Sequence, residues 1–397
     1  MKKKNRSQIW FITLTDIFHS AGYGAARKNR MQALSKYIDI HLFIPFYPTN
    51  QFIKKSWFSS IRFHSLTDSI EDKWNLSWLF KYYTTILRIF NDVPKHSIIY
   101  TDSFFIPLSK LIFRNRYQFI FDYHGIWYKQ LYEKGYRNKF FLHFIKLLEH
   151  KSLKMCSKII CIDRKIIDHL INVVNISPSS IKHISNGVDL QHFNKDIKTK
   201  SLRKALNILE NDIVLFFSGS FRPWHGIDNL IEVLKILSFH NIKYKMLFVG
   251  DGPDRKRIEM RCKNELPNSN IIFTGQVSYD DLPKYISLAD ICLYFPKDIA
   301  NNSRGYYGDP LKFYEWMAMN KAIVTINATD LVYRFSKESP ILTANSTIKS
   351  FAELVKHLIN DDKERKDLGK KGFEYVCCNN TWDMTAKKIY DFIINSN

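Results

Sequence analysis

The chain has 397 residues, more than one hydrophobic core usually organises, so two domains of roughly 180 to 200 residues are expected. With 45% hydrophobic and 24% charged residues it is not a disordered chain, and it lacks the run of about 18 apolar residues that a membrane-spanning helix needs. Its 59 basic residues outweigh 38 acidic ones, a net charge of +21, which favours polyanionic partners: nucleic acid, an anionic membrane face or phosphorylated substrates.

The opening MKKKNRSQIWFITLTD is basic and then apolar, but Asp16 ends the run too early for a signal peptide, so it reads as a first buried strand. Cys156, Cys161, Cys262, Cys292, Cys377 and Cys378 lack the paired C-x2-C spacing of a structural zinc site and suggest a reducing compartment. An apolar run over 9–15 precedes Gly22-Tyr23-Gly24 and a helical pattern over 25–37. Strand, glycine turn and helix in that order begin a Rossmann unit. Strand-like runs follow at 39–44, 97–100, 118–122 and 158–162, and their alternation with helical patterns argues for a parallel sheet. The aromatic stretch 50–95 reads as a loop and helix insertion. Over 134–158, Phe140, Phe141, Phe144, Leu147 and Leu148 are interleaved with Lys139, Lys146, Lys151 and Lys154. An inward-packed helix with a solvated basic face gives that pattern, and so does a helix lying on an anionic membrane surface.

A polar connection near 194–211 leads to a second alternation, with buried strands expected at 213–217, 245–249, 271–273, 291–295 and 322–326. Between the first two, Ile227, Leu230, Ile231, Leu234 and Leu237 form an apolar stripe at helical spacing. Two α/β units in series imply two lobes around a cleft, with domains at 1–190 and 191–380 and a last helix over 381–397 crossing back to the first. In the second lobe Ser218-Gly219-Ser220, Gly250-Asp251-Gly252-Pro253 and Thr274-Gly275 each follow a strand, which puts them on the sheet edge where open α/β folds bind ligands. One glycine turn alone is ordinary turn chemistry. After the fourth strand comes Gly308-Asp309-Pro310-Leu311-Lys312-Phe313-Tyr314-Glu315. Pro310 suits the first turn of a helix and Asn320 a left-handed residue at its end. The amides of that helix start and the Lys312 charge favour a phosphate, although Lys312 and Glu315 at this spacing also suit a surface ion pair.

The segments 185–189 (SNGVD), 216–228 (FFSGSFRPWHGID), 249–253 (VGDGP), 273–277 (FTGQV), 288–290 (LAD) and 308–318 (GDPLKFYEWMA) resemble, in order and spacing, the family 4 glycosyltransferases of the GT-B fold. The first half resembles them in outline, through Gly22-Tyr23-Gly24 and the FDYHG segment over 121–125. The resemblance implies two Rossmann-like domains facing each other across a cleft, a nucleotide-sugar donor, a glycan or lipid-linked acceptor, and transfer with retention at the anomeric carbon. It further implies that Glu315 holds the ribose hydroxyls, that Val277 meets the base, and that Gly219, Gly250, Asp309, Pro310 and Leu311 line the donor site. Gly22, Tyr23 and Gly24 close on acceptor or phosphate, and His124 approaches the donor sugar.

Three positions depart from the family pattern. Ser220 stands in the place of a diphosphate-binding Arg and His225 in that of a Lys, leaving Arg222 and Lys312 as the nearby cations to stabilise the leaving diphosphate. Tyr307 stands where the first of two glutamates is expected. Asp309 is its nearest replacement, or else a helix N-cap. No D-x-D metal motif is present, so neither an obligatory metal nor a cofactor is expected. The resulting expectation is a transferase of envelope polysaccharide or glycoconjugate synthesis, cytoplasmic and peripheral at the inner membrane face. The alternative is a non-catalytic binding subunit that partners an active transferase. A nucleic-acid binder rests on charge alone without a reader motif, and a sugar-nucleotide epimerase fits the PLKFYE helix start less well.

Overall fold

The computed structural model describes residues 7–13, 22–44, 60–63, 90, 93–104, 106–113, 116–133, 135–296, 308–326, 340–345 and 347–394. The chain divides into two compact units: Met1–Asn186 with Tyr307–Asp309 and Trp382–Asn397, and Gly187–Tyr306 with Pro310–Thr381.

In the first unit, β1 (Gln8–Ile12), α1 (Gly22–Leu34), β2 (Asp39–Ile44), β3 (Ser60–Phe63), β4 (Ile98–Thr101), α2 (Lys110–Phe113), β5 (Gln118–Tyr123), α3 (Trp127–Glu133), α4 (Lys139–Met155), β6 (Lys158–Cys161), α5 (Arg164–Asn172) and β7 (Ile181–His183) follow one another. The strands form a parallel sheet in the order β3-β2-β1-β4-β5-β6-β7. Its central strands carry continuous apolar runs because both faces are covered, as Ile9, Phe11, Ile99, Ile120 and Ile160 are fully or almost fully buried.

The second unit holds α6 (Lys200–Ala205), β8 (Val214–Ser218), α7 (Ile227–Phe239), β9 (Lys245–Val249), α8 (Arg255–Glu265), β10 (Ile271–Gly275), α9 (Leu282–Ser287), β11 (Ile291–Tyr294), α10 (Leu311–Ala318), β12 (Ala322–Ile326), β13 (Leu342–Ala344), α11 (Ile348–Asn360) and α12 (Asp362–Asn379). Its sheet is also parallel, in the order β10-β9-β8-β11-β12-β13. The stripe Ile227, Leu230, Ile231, Leu234 and Leu237 of α7 is buried in the core. The last helix, α13 (Trp382–Ile394), belongs to the first unit. There Lys158 donates to the carbonyls of Phe392 and Ile393 at 2.7 and 2.9 Å, satisfying the helix end.

Both sheets reverse their strand order once, between β1 and β4 and between β8 and β11. Outside the carboxyl ends of the strands at such a reversal, open α/β sheets have room for a ligand.

Three local expectations need correction. Gly22-Tyr23-Gly24 is no turn ahead of a helix but the first turn of α1, which ends at Leu34. The stretch read as loop and helix contains a strand, β3, paired parallel to β2, and most of its remainder lies outside the described residues. Pro310 is the N-cap of α10, one position before the helix. Asn320, with φ of 57°, does take the left-handed conformation after it.

Candidate active site

The strand reversal of the second unit is occupied by Lys312. α10 follows β11 and is buried from Lys312 to Ala318, so a lysine in its first turn has no path to solvent along the helix surface. Lys312 is 9% exposed, and its Nζ lies 4.5 Å from the centre of the Phe217 ring on β8 and 4.8 Å from that of Tyr294 on β11. Among the described residues Nζ has no hydrogen-bond partner. A buried ammonium lying against aromatic faces is costly, and burial pushes its pKa down to about 7, with Glu315 acting in the opposite direction. Glu315, one turn on, is buried as well, and desolvation raises its carboxyl to about 7 against the pull of Lys312. The two are therefore not a surface ion pair. α10 begins without a side-chain cap, which leaves its dipole to act on whatever approaches.

The glycine turns leave room for this cation and pack on one another. A Cβ on Gly219 would lie 2.7 Å from the Lys312 Nζ, and one on Gly250 would lie 2.0 Å from the Gly219 carbonyl oxygen. Gly219 N donates to Val249 O at 3.0 Å and Gly250 N to Gly275 O at 2.9 Å. These amides are spent within the fold, so the two glycines act through close approach of backbones and not as phosphate-binding N–H groups. Gly275, at φ of 78°, closes the third turn.

His225 sits in a short 3-10 turn, Pro223–His225, after β8. Burial, with Lys312 and Arg222 nearby, holds its imidazole far below the usual range. It is neutral and does not replace the charge of a lysine. Arg222 is exposed and stacks over Trp224 at 5.2 Å. Val277 is half-buried after β10, packed against the core.

The first unit holds the other predicted residues in a separate buried network. Arg27 and Arg30 share the inner face of α1, and both are almost wholly inaccessible. Their partners close each strand end: Arg27 Nε lies 2.7 Å from Asp102 Oδ2 after β4, and Arg30 Nη1 lies 2.7 Å from Asp122 Oδ1 on β5. Losing one member of such a pair costs about 3 to 5 kcal/mol, because the other charge stays buried. Asp122 Oδ1 also lies 2.8 Å from His124 Nε2, while Arg30 Nη1 is 3.3 Å from the same nitrogen. A carboxylate only accepts, so the shorter contact assigns the proton to Nε2 and the lone pair to Nδ1. Burial lowers the His124 pKa, Asp122 raises it, and Arg27 and Arg30 lower it further. The ring is neutral near pH 7.

Arg30 Nη2 continues the network, donating to Asn186 Oδ1 at 3.0 Å. Asn186 N and Nδ2 donate to Asp309 Oδ2 and O at 2.5 and 2.8 Å, and Gly308 N donates to Asp163 Oδ2 at 3.2 Å. Asp309 is thus no N-cap of α10: it is tied to Asn186 in the first unit. Nearby, Glu149 of α4 is buried and accepts from Trp127 N, Tyr128 N and Tyr123 Oη at 2.8, 3.3 and 2.8 Å, capping α3. Burial raises its carboxyl to about 7.

The sequence-predicted residues therefore form two clusters, each within one unit: Gly219, His225, Gly250, Lys312 and Glu315 with Phe217 and Tyr294, and His124 and Asp309 with Asp122, Arg30 and Asn186. Gly22, Tyr23 and Gly24 start α1, which carries Arg27 and Arg30. Pro310 and Leu311 form the entry to α10. Tyr307 lies outside the described residues. Arg27, Arg30, Asp102, Asp122 and Asn186 were missed as functional candidates. Their signal was present: two arginines at helical spacing among alanines and leucines require buried carboxylates.

On α4, Ile145, Glu149, Ser152 and Leu153 face inward. Phe140, Phe144 and Leu147 form an outward stripe, with Phe140 90% exposed, and Lys139, Lys151 and Lys154 are exposed beside it. Among the described residues no helix is long and apolar enough to cross a membrane. Also among them, His357, Asp361 and Glu364 lie close enough to share a cation, yet Asp361 already caps α12 and Glu364 accepts from or pairs with His357 at 2.5 Å.

The two halves each match a family. Residues 29–192 match Glycosyltransferase Family 4 and residues 198–375 match Glycosyl transferases group 1. The chain belongs to these family 4-like glycosyltransferases, and its fold is that of the GT-B members. It is similar to the GDP-mannose-dependent alpha-(1-6)-phosphatidylinositol monomannoside mannosyltransferase of Mycobacterium tuberculosis, at 24% identity over 219 residues, 54% of this chain and 56% of that protein. The match thus spans about half the length of that relative. Among solved structures it is similar to sucrose-phosphate synthase from Thermosynechococcus elongatus, with a TM-score of 0.77 and 17% identity over 99% of this chain and 100% of that one. It also resembles Anabaena Alr3699/HepE in complex with UDP and glucose, with a TM-score of 0.74 and 14% identity over 98% and 99% of the two chains. At such identities the likeness shows the fold.

Proposed function

We propose that the chain moves a sugar from a nucleotide-sugar donor to a glycan or lipid-linked acceptor in envelope polysaccharide or glycoconjugate synthesis, with retention at the anomeric carbon and without an obligatory metal. One observation carries this reading: the buried Lys312 ammonium, without a hydrogen-bond partner among the described residues and lying against Gly219 at an uncapped helix start. A diphosphate arriving there supplies the missing counter-charge. It accepts from Lys312 and from the first amides of α10, and it raises the lysine pKa so that the group is fully cationic when the glycosidic bond breaks and charge grows on the leaving oxygen. Arg222, exposed beside Trp224, adds a second cation. Glu315 accepts from the ribose diol, and Val277 borders the base. His124, neutral with its lone pair on Nδ1, orients a sugar hydroxyl.

The partners follow from the surface. Phe140, Phe144 and Leu147 beside exposed lysines suit insertion at an anionic cytoplasmic leaflet, where a lipid-linked acceptor is presented. The relative from Mycobacterium tuberculosis, named for a phosphatidylinositol monomannoside, supports a lipid-borne acceptor. Nucleic acid is not a partner.

A second reading, a non-catalytic subunit that binds nucleotide sugars or partners an active transferase, draws on the neutral His225 in the place of a lysine. A thermal-shift and titration screen against nucleotide sugars, followed by turnover of Lys312→Ala and Arg222→Ala, separates the two. Transfer lost in these variants supports the enzyme. Binding without turnover in the wild type, or no nucleotide-sugar binding by the folded protein, supports the subunit.

A further inference from the structure

Two of the points at which the chain passes between its units, after Asn186 and after Asp309, are bonded to each other inside the first unit. Asn186 donates twice to Asp309, once from its backbone and once from its side chain. The same side chain accepts from Arg30, and Arg30 grips the Asp122 carboxylate that holds His124. We propose that Arg30 is a positioning residue of the transfer reaction: its guanidinium fixes the His124 ring through Asp122 and, through Asn186, the main chain at Asp309, one residue ahead of the Pro310 cap of the lysine-bearing helix α10.

The geometry asks for an arginine. One planar group spans Asp122 with Nη1 at 2.7 Å and Asn186 with Nη2 at 3.0 Å, and a lysine ammonium, a single point on a flexible stem, reaches one or the other. Arg30 is also fully buried, on the face of α1 that carries Arg27 and the apolar Ala26, Ala33 and Leu34. A leucine there would leave the buried Asp122 carboxylate without its guanidinium, so the charge at this position is tied to the carboxylate that holds His124. The charged groups that act on His124 include Asp122 of β5 and Arg27 and Arg30 of α1. With Asp122 shared between ring and guanidinium, the cation restrains the carboxylate oxygen that receives the Nε2 proton and keeps the lone pair on Nδ1. At the other end Asp309 has its carboxylate and its carbonyl both held by Asn186.

This inference rests on the transferase reading for its kinetic part and stands apart from it for its spectroscopic part. The test uses full-length protein with ¹⁵N-labelled histidine, comparing wild type, Arg30→Lys and Asn186→Ala at equal folded fraction by circular dichroism and melting. In Arg30→Lys the His124 ring nitrogens are expected to leave the Nε2–H pattern for a tautomer mixture, and kcat to fall about tenfold to a hundredfold. In Asn186→Ala, which leaves the Arg30–Asp122 pair whole, the His124 pattern is retained and the Kd for the nucleoside diphosphate, UDP or GDP as the screen selects, rises about tenfold. A wild-type His124 spectrum in folded Arg30→Lys overturns the ring half of the inference, and wild-type nucleotide affinity in Asn186→Ala overturns the chain half. Should Arg30→Lys not fold, Arg30→Gln takes its place, a wild-type His124 spectrum in it refuting the ring half, while wild-type affinity in Asn186→Ala still refutes the chain half. If the wild type binds no nucleotide sugar, the transferase reading fails while the His124 spectrum still judges Arg30.

Discussion

Replacing Lys312 by methionine separates the cost of a buried cation from its use. The lysine titrates near 7 in the folded chain against 10.5 for the ordinary group, so between those values the unfolded chain holds a proton that the folded one has shed. Stability contributed at this position therefore rises with pH across that window, and at or below pH 7 the whole penalty stands. A drop of about 3.5 pH units at about 1.4 kcal/mol each sets a ceiling of about 5 kcal/mol. Glu315 loses its cation in the variant and the aromatic faces lose theirs, which returns part of the gain. A net stabilisation on the order of 1 to 3 kcal/mol is expected for Lys312→Met at pH 7, seen as a melting temperature several degrees higher. Turnover should move the other way, by a factor on the order of 10² to 10³, because the group that meets the leaving diphosphate is gone. Differential scanning calorimetry and donor consumption on the same preparations read both effects. A variant that melts lower and turns over normally would show that the lysine serves packing and not phosphate.

Glu315→Gln is expected to weaken nucleotide binding about tenfold with the melting point held or raised, since a raised carboxyl costs stability as pH climbs from 4.5 through about 7; titration calorimetry against the nucleotide checks it. Activity should survive EDTA, and full loss restored by Mg²⁺ or Mn²⁺ would contradict the metal-free reading. Phe140→Ser with Phe144→Ser and Leu147→Ser should abolish salt-sensitive binding to anionic vesicles while leaving the fold intact, and wild-type binding equal on neutral and anionic vesicles would remove the membrane role. Gly250→Ala should lose on the order of 2 to 4 kcal/mol, because its Cβ meets the Gly219 carbonyl at 2.0 Å in a left-handed region backbone; urea unfolding measures it.

Much of the second unit was legible because its strands are buried on both faces. The runs at Lys245–Val249 and Ala322–Ile326 end where the expected ones do. The strands that escaped notice, β3, β7 and β13, all lie at sheet edges. An edge strand is paired on one side and need not be apolar throughout, and Ile181-Lys182-His183 has no residue that is fully buried. The cluster around Lys312 was legible through short motifs that keep Gly219, Lys312 and Glu315 at fixed spacing. The network around His124 was not, because its members lie 92 and 156 residues apart in Arg30–Asp122 and Arg30–Asn186 and only the fold brings them together. Asp309 illustrates the limit. Beside a proline at a helix start, local propensity favours a cap, and a distant asparagine overrides it.

The most direct test of the transferase reading is a proton NMR time course of the metal-free protein with the nucleotide sugar that the screen selects and a lipid-linked or oligosaccharide acceptor. Consumption of the donor, with a product whose anomeric proton keeps the configuration of the donor, is the predicted result. An inverted anomeric signal would contradict retention, and a donor that binds but is never consumed would contradict the enzyme itself.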